Sequence, residues 1–173
     1  MESKRKNILI LGTGNVLLKD EGLGVRALEY LRGAYSIPPE LTLVDGGVGG
    51  LSLISVIRGY NPVIIIDAIR KNGPPGTPYR IRGEKRLLRS GFKISSLHGL
   101  GIKELLALSD MEGKKEIVII GMEPLEVSGG LRLSPLVQSR LPLLLELLRK
   151  ELKRFGINLK KVRSPGARKR FPR

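Results

Sequence analysis

Cysteine is absent from the 173 residues, there is one histidine, and aromatic side chains make up only 4%. Without cysteine there is no disulfide framework, no thiolate nucleophile and no cysteine metal site. With so few aromatics the chain lacks the stacking platforms that single-stranded nucleic acids require, and it has no nucleic-acid reading motif. No apolar run approaches membrane-spanning length. The first seven residues are charged and lead into an apolar stretch too short for a secretory h-region, which leads us to expect a cytoplasmic protein. Basic residues number 31 against 16 acidic, a formal charge of +15. Such an excess favours acidic partners but also occurs in enzymes that touch no nucleic acid, so charge alone assigns nothing.

What is present is a repeated pattern. Ile8 to Leu11, Leu41 to Val44, Pro62 to Ile66 and Glu116 to Gly121 are apolar runs that read as buried strands. Between them lie segments with helical spacing: Val25, Leu28 and Leu31; Leu51, Ile54 and Ile57; Ile102, Leu105 and Leu106. Ser134-Pro135 is a helix entry, with a serine N-cap and proline in the first turn, and a leucine-rich run follows to Leu152. Pro142 predicts a late start or a kink there. Tyr79 to Arg82 reads as a solvated strand of opposite direction. This alternation predicts an α/β fold: one three-layer domain over residues 1–157, a mainly parallel twisted sheet with helices on both faces and one antiparallel edge strand. Residues 158–173 carry seven basic side chains, two prolines and no acid, and are expected to be a flexible basic tail.

Three of the apolar runs end in loops with carboxylates. The first loop, Gly12-Thr-Gly-Asn-Val-Leu-Leu-Lys-Asp-Glu-Gly-Leu-Gly24, joins strand to helix and carries Asp20 and Glu21. The second opens on Asp45, and the third strand ends at Asp67. Right-handed crossovers bring all three to one edge of the sheet, where α/β proteins bind ligands. His98 precedes a helix and can reach the same rim. Gly12-x-Gly14 invites a nucleotide-binding reading, yet the third glycine of a dinucleotide fingerprint is replaced by Leu17, and two carboxylates line the loop where a pyrophosphate would sit. Taken singly, Asp20 or Glu21 reads as a helix cap. Taken together, two carboxylates and an imidazole suit a divalent transition metal such as zinc or nickel.

The chain resembles the hydrogenase maturation endopeptidases. The resemblance runs from about Ile8 to Leu152 and rests on Gly12-x-Gly-Asn-x-Leu-x-x-Asp-Glu-Gly-x-Gly24, Asp45-Gly-Gly-x-x-Gly50, Asp67-Ala68, the solitary His98, Gly121-x-x-Pro124 and Leu133-Ser-Pro-x-Val137. It implies a peptidase, aspartyl-type or metal-dependent, that removes the C-terminal extension from the precursor of a nickel-iron hydrogenase large subunit. It also implies that Glu21, Asp67 and His98 contact nickel carried by that substrate rather than held permanently. Asp45 matches an aspartate implicated in activity and is the candidate catalytic residue, with closure of its own glycine loop as the simpler role. The alternative reading is a Rossmann-like nucleotide-binding protein.

Overall fold

A computed structural model of the chain describes residues 7–82, 93–94 and 115–162. The segment that contains His98 and the helix expected after it lies outside the described residues, as do 83–92 and 163–173.

The central sheet runs in the order β3 (Leu41–Gly47), β1 (Ile8–Thr13), β4 (Val63–Arg70), β7 (Ile117–Met122) and β5 (Pro78–Arg82). The first four are parallel and β5 is antiparallel at the edge, as expected from the sequence. A short strand β6 (Lys93–Ile94) pairs antiparallel with the end of β4. Continuous apolar runs make these strands because both faces are covered. Ile8, Ile10, Ile64, Ile66, Val118 and Ile120 pack under α1 (Leu23–Ala34) and α3 (Pro135–Arg154). Leu9, Leu11, Val63, Ile65, Ile117 and Ile119 turn to the other face, where Leu53 and Ile57 of α2 (Leu53–Arg58) cover them.

Three elements depart from the expected bounds. The third strand does not end at Asp67 but continues to Arg70, since Ala68 pairs with Met122 of β7 and both Ile69 and Arg70 pair with β6. α3 does not start late: it runs as one helix from Pro135 through Pro142 to Arg154. An interior proline costs about 3 kcal/mol. Six apolar side chains of α3 are buried, and each contributes about 1.5–3 kcal/mol, so packing wins. Pro142 itself faces solvent, where the carbonyl it leaves unbonded can be hydrated. Finally, the basic tail begins attached to the body. Lys160 and Lys161 form β8, antiparallel to β2 (Tyr35–Ser36), and the Val162 N–H donates to the Ala34 carbonyl at 3.0 Å.

Candidate active site

The parallel strands end together. Gly12 lies opposite Asp45 on one side and Ile66 on the other, and Asp67 lies opposite Gly121. The loop after β1 therefore opens on the carboxyl rim beside the loop of Asp45 and the stretch of β4 that carries Asp67. It folds back on itself through a 3-10 turn, Lys19–Gly22, that packs against β4 and α1. Its glycines serve that close packing. A Cβ on Gly14, at φ +140°, would lie 1.9 Å from the Glu21 carbonyl oxygen, and one on Gly24 would lie 2.0 Å from that of Ile66. The space a phosphate would need against this backbone is taken by the chain itself.

Neither acid of the turn caps α1. The N-cap position belongs to Gly22 and has no side-chain cap. Asp20 is fully buried and works across the fold instead. Its Oδ2 accepts from the Leu125 and Glu126 amides at 3.0 and 2.9 Å and from the Ser134 hydroxyl at 2.8 Å, and its Oδ1 accepts from the Ser134 amide at 2.7 Å. Four donors offset the cost of burying one carboxylate. They also fix both ends of the loop between β7 and α3 to the residue that precedes Glu21. Glu21 is itself buried, 5% exposed.

Asp67 is fully buried on the α2 face of β4. Its Oδ2 accepts from the Thr13 hydroxyl at 2.7 Å and its Oδ1 from the Ala68 amide at 2.6 Å. These two bonds orient the carboxylate. Glu21 and Asp67 thus stand on elements in direct contact. Among the described residues no three His, Asp or Glu side chains gather at one metal position. His98, the third expected ligand, lies outside the described residues. Asp45 is exposed, and its Oδ1 accepts from the Gly47 amide at 2.9 Å, closing the glycine loop in which Gly47 sits at φ +45°.

Two further carboxylates shape the rim, and residue-by-residue reading passed them over. Glu123, inside Gly121-x-x-Pro124, is buried; its Oε2 accepts from the Lys71 and Gly73 amides at 2.9 and 3.3 Å and from the Tyr79 hydroxyl at 2.9 Å. It ties the loop after β4 to β7. Burial, and then the neighbouring Glu123 carboxylate, push the Tyr79 phenol above its ordinary value. Glu126 pairs with Lys19, and hydrogen bonds from Lys19 and then Ser128 hold its carboxyl below the ordinary range. Thr13 was missed as well, because only strand register shows that its side chain shares a face with Asp67.

The chain is similar to known proteins over most of its length. Residues 25–151, well over half of the chain, match the family model described as HycI, hydrogenase maturation protease. The hydrogenase expression/formation protein HupD of Bradyrhizobium diazoefficiens is 33% identical over 166 residues, 94% of this chain and 86% of that protein. The hydrogenase 2 maturation protease of Escherichia coli is 33% identical over 87% of this chain and 93% of that protein. The solved structure of the hydrogenase maturating endopeptidase HybD from Escherichia coli superposes with a TM-score of 0.80 at 32% identity, covering 90% of this chain and 97% of that one. With the family model matched across the body of the fold and relatives of this likeness on both counts, the chain belongs to the hydrogenase maturation protease family.

Proposed function

We propose that this peptidase removes a C-terminal extension from the precursor of a nickel-iron hydrogenase large subunit after nickel insertion, and that it reads the substrate's nickel with Glu21, Asp67 and His98. The observation that carries the reading is the placement of two buried carboxylates, Glu21 and Asp67, on contacting elements at the carboxyl rim. Anionic oxygen donors in a sheltered position favour a divalent cation. An incomplete ligand set holds a metal weakly until the substrate supplies the remaining ligands, and that makes nickel insertion a checkpoint. Carried by the substrate, the nickel serves as a template that fixes the bond to be cut against the enzyme. Asp45 lies on the same rim with one carboxylate oxygen committed to its own loop, which supports a loop-closing role over direct chemistry.

The test is processing of nickel-loaded and nickel-free precursor by the wild type and by Glu21→Gln, Asp67→Asn and His98→Ala. Only the loaded precursor should lose its extension, and each variant should lower the rate by about 100-fold or more, beyond the loss expected of an outer-shell change. Equal cleavage of the two precursors would remove the nickel part of the reading. Normal processing by all three variants would remove the site.

A further inference from the structure

We infer that Leu17, Leu125 and Leu131 form a rigid apolar docking platform for the polypeptide substrate, seating an uncharged, apolar stretch that adjoins the bond to be cut. Among the described residues six large apolar side chains are exposed, and four of them, Leu17, Val48, Leu125 and Leu131, stand on loops at the carboxyl rim. Leu17, Leu125 and Leu131 are 60%, 52% and 63% exposed. Single exposed leucines need no explanation, but a concentration around a candidate site does.

The backbone allows these leucines little choice. The Gly130 amide donates to the Leu17 carbonyl at 2.9 Å and the Lys19 amide to the Gly130 carbonyl at 2.8 Å. On the other side of the same turn, the Asp20 amide donates to the Glu126 carbonyl at 3.2 Å while Asp20 Oδ2 holds the Leu125 and Glu126 amides. Lys19 is held at φ +45°, a conformation a lysine keeps only when its surroundings over-determine it. A surface already ordered before binding loses little entropy when a partner covers it.

Charge identifies the occupant. Lys19 is paired with Glu126, while Arg26 is paired with Glu29 at 2.9 Å and donates to the Leu131 carbonyl at 2.6 Å. These cations beside the leucines are neutralised within the chain, so the platform offers apolar contact even though the protein carries +15. It adjoins the turn that holds Glu21 through the backbone bonds of Leu17, Lys19 and Asp20.

The inference rests on the peptidase reading of this rim, and the experiment separates the two. Precursor processing is measured with the wild type, Leu17→Ser, Leu131→Ser, the double variant, and Leu143→Ser, an exposed leucine of α3 away from the rim. Affinity for intact precursor is measured in a Glu21→Gln background. The double variant should raise KM and weaken binding by about 10- to 100-fold, leave kcat within about two-fold, and keep the wild-type melting temperature, since a surface that binds ground state and transition state alike shows in KM. Leu143→Ser should match the wild type. Unchanged KM and affinity in the double variant overturn the platform while the processing reading stands. Leucine-dependent binding by a wild type that cuts neither precursor leaves the platform and removes the processing reading. Self-association of the wild type that the double variant abolishes would give the surface to a second copy of the chain and overturn the inference.

Discussion

Thr13 shows how one hydroxyl can decide the attitude of a candidate ligand. It has a single proton and two acceptors in range, the Ile66 carbonyl at 3.3 Å and Asp67 Oδ2 at 2.7 Å. The shorter bond to a charged oxygen is the stronger, so the proton belongs to Asp67. Thr13→Val keeps the shape and removes the donor. Precursor processing should fall by about 10-fold with an unchanged circular dichroism spectrum, and Thr13→Ser should restore most of it. Asp67 was legible in the sequence because a carboxylate follows a buried apolar run. Thr13 was not, since its partner lies 54 residues away and only register aligns them. Asp20 misled for the same reason: local spacing offers a helix cap, whereas its partners are 105 to 114 residues distant.

At the scale of elements, strands β1, β4 and β7 announced themselves by unbroken apolarity, and the antiparallel β5 by its alternation of arginines with Tyr79 and Ile81. The far end of β4 did not, because Ala68 to Arg70 become strand through pairing with β7 and β6 rather than through their own propensity. The seat of α1 was equally hidden. Gly24 lets the helix start directly against two strands: an added Cβ would lie 2.0 Å from the Ile66 oxygen and 2.3 Å from that of Thr13. Alanine gains up to about 1 kcal/mol of helix propensity over glycine, but the clash costs about 1–3 kcal/mol and the turn bearing Glu21 must move with the helix. Gly24→Ala should therefore lower the urea midpoint and the processing rate together. Gly33→Ala, on the same helix with nothing within 4 Å of the new Cβ, should raise the urea midpoint and leave the rate unchanged.

Across the whole molecule, α3 is joined to the β5 edge by charge. Arg80 of β5 meets the fully buried Glu151 of α3 at 2.9 Å, Arg154 binds the same carboxylate, and Arg82 reaches Glu116 at 3.5 Å. The same edge contains the Tyr79 phenol, whose raised pKa links stability to alkaline pH. Below its ordinary value of 10.0 the proton is bound in folded and unfolded chains alike, and the bond to Glu123 is fully present. As pH rises through the folded value that contribution is lost. Tyr79→Phe should melt below the wild type at pH 8 by the worth of one hydrogen bond, about 1 kcal/mol, and the two melting curves should converge as the pH is raised above the ordinary tyrosine value of 10.0. Unchanged separation above that value would show that the phenol does not titrate against Glu123.

The Asp20 clamp also sets a timetable for the enzyme's own birth. A ribosome that has released only the first half of the polypeptide has already delivered Glu21 and Asp67, yet residues 125, 126 and 134 are still to come. Until they arrive the buried carboxylate has none of its four donors, and the corner next to Glu21 cannot settle. Completion of this corner is thus postponed until residue 134 has been made, so a half-made copy holds the two acids without the frame that positions them.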